Sequence, residues 1–241
     1  MYIMAYRGNM WSFKPVARRG KRGFNRNRRR RAVLRRRRRI TPLIQPSSKM
    51  VRLRFADNFQ LNATAGNTVA RELIRCNSMY DPENSLGGAQ PNGYDEWMNF
   101  YTHYTVLGAR IKAVFQSIGT TGNAYNVCGI GLIPTTTTDS SFKDMMGDKY
   151  IKWRPIGSAD GGNAVTTVTN WFSAKKYFGV KDVKDNTDRI GATDGANPTE
   201  QAYFDVFVAG GAGVTDATAV NVYLTVEYIA LLTEPVDLER S

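Results

Sequence analysis

Between Val220 and Leu232 every second residue is apolar: Val220, Val222, Leu224, Val226, Tyr228, Ala230 and Leu232, with Asn221, Tyr223, Thr225 and Glu227 among the places between. A strand turns successive side chains to opposite faces, whereas a helix would scatter this set around its axis. The run therefore specifies a long strand with one face against a core. The same signature recurs in Met50–Leu61, where Val51, Leu53, Phe55, Phe59 and Leu61 oppose Arg52 and Arg54. It recurs again where Leu107, Ala109, Ile111, Ala113 and Phe115 alternate with Arg110, Lys112 and Gln116. Less regular segments at 68–76, 123–134, 150–156, 164–172 and 202–210 bring the expected strands to eight.

Helical signals are few and short. Tyr94, Trp97, Met98 and Tyr101 follow the i, i+3, i+4, i+7 spacing of one helix face. Phe142, Met145 and Met146 repeat it after Asp139, Ser140 and Ser141, whose side-chain oxygens can cap a first turn. A third turn is expected over Ser173–Phe178. The connections Asn77–Gly93, Gly157–Asn163 and Lys181–Glu200 are long and rich in turn formers, and Gly210, Gly211, Ala212 and Gly213 suit a tight turn between two strands. Eight strands with brief helices in the loops predict an all-β chain, a single eight-stranded jelly roll built as a two-sheet sandwich. No internal repeat at a fixed period is present.

Charge is distributed very unevenly over this pattern. Met1–Arg39 holds 16 of the 33 Lys and Arg residues and no acid, the first acid being Asp57. The remaining 202 residues carry 17 basic and 21 acidic side chains, a net charge of −4. The expected organisation is an arginine-rich arm over 1–39, an extended hinge over 40–48 containing Pro42 and Pro46, and a folded body over 49–241. The arm has too little apolar surface to offset its ordering entropy, so it is expected to stay disordered until it meets an anion. Cys76 and Cys128 are too few for a disulfide framework, Met1–Trp11 lacks the apolar core of a secretion signal, and no apolar run is long enough to span a membrane. These features suit a reducing compartment, where the sequon at Asn62 has no use.

Candidate chemistry in the body is sparse. His103 is the lone histidine, within Phe100–Tyr104. It could act as a base beside Asp95 or Glu96, but a helix end packed on a sheet accounts for it better. One His and two distant Cys do not make a zinc site, and no phosphate-binding glycine loop occurs. Asp182, Asp185, Asp188 and Asp194 crowd one loop, which suits either a solvated surface or a hard cation; the solvated reading is preferred. No catalytic residue, metal ligand or cofactor is assigned.

The arm carries the strong signal. Arg18, Arg19, Lys21, Arg22, Arg26, Arg28, Arg29, Arg30, Arg31, Arg35, Arg36, Arg37, Arg38 and Arg39 are its candidate nucleic-acid contacts. The guanidinium is a planar fork of donors that matches phosphate oxygens and keeps its charge. Such density suits sequence-independent neutralisation of a backbone, not base reading. Trp11, Phe13 and Phe24 lie among these cations, where they could stack on unpaired bases. Arg28–Arg39 also has the density of a nuclear import signal.

At Tyr94–Phe115, "YDEWMNFYTHYTVLGARIKAVF", the chain resembles the capsid proteins of circular single-stranded DNA viruses of the circovirus-like kind. A short Trp- and Tyr-bearing helix leads there into a strand containing Tyr104, Val106, Gly108 and Ile111. "KYIKWRPIGS" at 149–158, "FSAKKYFGV" at 172–180 and "ANPTEQAYFDVFV" at 196–208 extend the resemblance, in pieces, over about 94–208. It implies a jelly-roll shell domain, a T=1 icosahedral homo-oligomer of roughly 60 copies, and a single-stranded DNA genome bound by the arm. It further implies a virion protein that visits the host nucleus during assembly by way of an import receptor. The arm departs from the circovirus pattern in being short and lacking His, which leaves the genus open. No host-cell receptor is legible. Two other readings are a coat protein of a small RNA virus on the same fold and a cellular nucleic-acid-binding structural protein. The latter would be expected to carry its basic residues over the body as well.

Overall fold

A computed structural model describes residues 46–63, 68–85, 89–119, 125–137, 141–160, 162–211, 213 and 217–237. The arm's candidate cations and its aromatic residues Trp11, Phe13 and Phe24 lie outside these described residues. The chain divides into two units, Met1–Gln45 and Pro46–Ser241, and the architecture is that of the second.

Its strands are β1 (Ser48–Leu61), β2 (Val69–Arg75), β3 (Tyr101–Ser117), β4 (Asn126–Ile133), β5 (Lys152–Ile156), β6 (Val165–Ser173), β7 (Gly191–Thr193), β8 (Tyr203–Gly210) and β9 (Val220–Pro235). All pairings are antiparallel. One sheet has the order β1-β9-β3-β6, and the other β2-β8-β4-β5. Strand β1 pairs with β9, β2 with β8, β3 with β6 and β4 with β5. Each strand thus meets its counterpart reflected about the β4–β5 connection, as in a hairpin ribbon rolled over on itself. That is a jelly roll. The eight strands expected from the sequence are all present, and β1 begins one residue inside the expected hinge.

The core lies between the sheets. Phe55, Phe115, Tyr104, Tyr228, Phe204, Ile111 and Ile130 are fully buried there, each contributing about 1.5–3 kcal/mol through removal from water. The second sheet is covered on its other face too. Helix α2 (Phe142–Met145), in the β4–β5 connection, packs Phe142 and Met145 on Phe207 and Ala209. Every residue of β8 is consequently buried. Beneath this cover Arg71 of β2 meets Asp205 of β8 at 3.0 Å and also approaches the Met145 sulfur at 3.8 Å.

Three sequence expectations require correction. The Lys181–Glu200 segment is not wholly irregular: it holds a 3-10 turn (Lys184–Asn186), a short helix (Thr187–Ile190) and β7, which pairs with His103–Thr105 of β3. Gly191 permits that approach, because a Cβ there would lie 2.7 Å from the Thr187 carbonyl oxygen and 2.6 Å from the His103 ring. Helix α1 is shorter than its apolar spacing suggested, covering Tyr94–Met98, with Gly93 at φ 83 before it. Tyr101 and His103 belong to β3, so the histidine sits within a sheet and not at a helix end. Finally, β8 ends at Gly210 and β9 starts at Val220, so the glycine cluster opens a longer connection than a tight turn.

Candidate nucleic-acid interface

The outward face of the first sheet follows directly from its register. Arg54 of β1 lies opposite Glu227 of β9, Glu227 opposite Arg110 of β3, and Arg110 opposite Trp171 of β6. Arg52 precedes that row on β1, and Lys112 follows it on β3. All four cations are exposed. Glu227 is the lone carboxylate among the outward positions of these strands, and Arg54 donates to it at 2.5 Å. The hydrogen bond from Arg54, with the charges of Arg54, Arg52 and Arg110, holds the Glu227 carboxyl below its ordinary range. One acid therefore stands among converging cations, and the face is net positive although the body as a whole is acidic. Thr225, Thr167, Thr169, Asn58, Gln60 and Gln116 occupy further outward positions of the same sheet. Its chemistry is that of a flat, cationic, hydrogen-bonding surface suited to phosphate oxygens.

A second concentration of cations lies where the edge strands of the two sheets, β5 and β6, approach each other. Lys149, Lys152 and Lys176 line a cavity of about 450 Å³ together with Tyr150, Trp171 and Tyr177. Trp171 is 73% exposed, and Lys152 Nζ stands over its ring, 5.7 Å from the centroid. Lys149 Nζ is 4.8 Å from the Tyr150 ring. Behind them helix α3 (Ala174–Tyr177) closes an aromatic cluster in which Tyr177 and Phe178 pack edge-on against Phe172.

The remaining sequence candidates are placed as follows. His103 is largely buried on β3, with Nδ1 lacking a hydrogen-bond partner; its neighbours across the ladder are Thr193 and Thr233. The loop aspartates do not converge. Asp182 accepts from the Lys184 amide and, through its carbonyl, from the Asn186 side chain, which makes it a turn former. Among the described residues no three His, Cys, Asp or Glu side chains are grouped to hold a metal ion. Cys76 and Cys128 are buried free thiols, and burial pushes both up, Cys128 to about 12.

No protein-family model matches the chain, and no curated protein matches it. Solved virus structures do. Desmodium yellow mottle tymovirus aligns over 84% of this chain and 97% of its own at 14% identity and a TM-score of 0.39. The decameric BFDV capsid protein aligns over 78% and 99% at 11% identity and a TM-score of 0.44. The Macrobrachium rosenbergii nodavirus particle protein aligns over 83% and 100% at 10% identity and a TM-score of 0.44. The jelly-roll assignment rests on the strand pairing itself.

Proposed function

We propose that the protein is a viral coat protein that self-assembles into a small icosahedral shell and packages single-stranded DNA through its arginine-rich arm. The observation that carries this reading is the division of charge: 16 cations and no acid in Met1–Arg39, attached to a jelly-roll body whose net charge is negative. A closed shell of such bodies places one arm per copy at the genome, and roughly 60 copies is the smallest icosahedral count. Those arms carry about 960 charges, enough to neutralise on the order of a thousand phosphates. The packaged strand is therefore of kilobase scale. Arg28–Arg39 serves in addition as the nuclear import signal.

The test is expression of the full-length chain, followed by sedimentation, negative-stain microscopy and recovery of nuclease-protected nucleic acid. Closed particles protecting kilobase-length, DNase-sensitive single strands support the proposal. Protected strands sensitive only to RNase would reassign the protein as an RNA-virus coat. Monomers or dimers alone, with and without nucleic acid, would overturn the coat reading.

A further inference from the structure

We propose that the groove between β5 and β6 is a second nucleic-acid site on the body, in which an unpaired base stacks on Trp171 while Lys149, Lys152 and Lys176 hold its flanking phosphates. The proposal rests on the packaging function above and assigns part of the strand's path to the folded body.

Four observations converge on it. First, Trp171 is 73% exposed at an outward strand position, where a large apolar ring gains nothing from the core. Second, three lysines line the same cavity, and no carboxylate lines it among the described residues. Asp148, next in sequence to Lys149, turns Oδ1 toward the Tyr150 amide at 2.8 Å. Third, the cavity is continued by another of about 440 Å³ that shares Lys152 and adds Arg154, Thr167 and Thr169. The two adjoin at Lys152 along the edge of the sandwich. Fourth, the register sets Trp171 beside Arg110, a further exposed cation next to the ring and the one in that row not bonded to Glu227.

The chemistry discriminates among polyanions. Lys152 stands over one face of the Trp171 indole; a base would stack on the opposite face of this exposed ring, with that ammonium close by for its phosphate. A sulfated polysaccharide would use the lysines but has no planar base for Trp171. A second copy of the chain would use the ring but would have to supply carboxylates to the lysines.

The experiment is photocross-linking of the full-length protein to a short single-stranded oligonucleotide containing 5-iododeoxyuridine, with the cross-linked peptides mapped by mass spectrometry. Salt is raised to roughly 0.5 M, where ion pairing by the arm is weakened most. Expected are adducts at Trp171 or Tyr150 in addition to those within residues 1–45. Trp171→Ala should raise the oligonucleotide concentration for half-maximal groove cross-linking about five- to a hundredfold. Trp171→Phe should restore most of that loss. The Lys149→Ala/Lys152→Ala/Lys176→Ala protein should lose groove adducts and keep those in the arm.

Adducts confined to residues 1–45 would overturn the groove and leave the packaging function standing. Adducts nowhere at 0.5 M salt would overturn the groove, and adducts nowhere at low salt as well would overturn both. A Trp171→Ala protein that binds oligonucleotide undiminished but no longer forms particles would show the groove to be a contact between copies. Displacement by heparin with equal binding of oligonucleotide to wild type and Trp171→Ala would reduce the groove to a charge-only anion site. Both of those results overturn the proposal.

Discussion

Replacing Arg71 with Met tests how the outer layer of the second sheet accommodates a buried acid. The Asp205 side chain is 1% exposed and its Oδ2 accepts from Arg71 at 3.0 Å, while Oδ1 has no partner. Burial pushes Asp205 from 3.8 up to about 6, and Arg71 draws it part of the way back. An acid whose pKa is higher in the folded chain weakens the fold as pH rises, because the unfolded chain releases its proton first. Wild type therefore loses stability between pH 3.8 and about 6, by about 3 kcal/mol, and carries that loss unchanged above. In Arg71→Met the carboxyl keeps its proton to still higher pH. Its cost cannot exceed that of remaining protonated, which grows by about 1.4 kcal/mol per pH unit above 6. The electrostatic penalty of the variant is then at most on the order of 1 kcal/mol at pH 7 and on the order of 3 kcal/mol at pH 8. Neither exceeds the roughly 3–5 kcal/mol usual for breaking a buried pair. Near pH 5 both proteins fold with the carboxyl protonated, and only the lost packing and hydrogen bonds separate them. Urea titrations of the unassembled proteins from pH 5 to 8, followed by tryptophan fluorescence, read the difference directly. A destabilisation of equal size at pH 5 and pH 8 would refute the reasoning.

Gly129→Ala should lower stability by about 1–3 kcal/mol in calorimetry, because its Cβ would lie 2.6 Å from the Lys152 carbonyl oxygen and against the Phe207 ring. Arg75→Lys should loosen the segment after β2 and speed proteolysis there. The guanidinium bonds Gln201, Asp81, the Glu83 carbonyl and Asn84 together, a set one ammonium cannot span. Deleting residues 1–39 should leave the thermal transition of the nucleic-acid-free body unchanged and abolish packaging, since the arm's sequence offers no alternating apolar face to a core; an insoluble or molten product would contradict this. Salt titrations of the isolated arm against single strands should give a slope of log K against log salt shallower than about −11, the limit for 16 cations at about −0.7 per phosphate. Replacing Arg35–Arg39 with Ala should flatten it by several units for all sequences alike.

The sequence carried the strands but not their neighbours. Alternation located β1, β9 and most of β3 because each turns one face to the core and the other to solvent. It failed at the start of β3, where Tyr101, His103, Tyr104, Thr105 and Val106 are all buried. There β7 and β9 flank the strand, and a bulge between Val106 and Gly108 shifts the register. A run buried on both faces has no period, so those aromatics read as the end of a helix. Strand β7 was missed for a related reason: Gly191, Ala192 and Thr193 are too few and too small to show a pattern.

The interface was hidden by pairing. Arg52, Arg54, Arg110 and Lys112 were each visible as outward residues, yet nothing in the sequence says that β1 and β3 flank the same strand. The −4 balance of the body is a total, and a total does not say how charge is spread over its faces. Once β9 is placed between β1 and β3, the four cations share one face with Glu227, the lone carboxylate at the outward positions of those strands. Trp171 changes meaning in the same way. In sequence it is one more aromatic residue in a polar strand; in register it adjoins Arg110, and across the gap between the sheets it meets Lys152. The outward face that runs from β6 to β1 thus joins an exposed ring to cations, the farthest of which lie more than a hundred positions away in sequence. That convergence is a property of the rolled ribbon, which brings distant strands side by side.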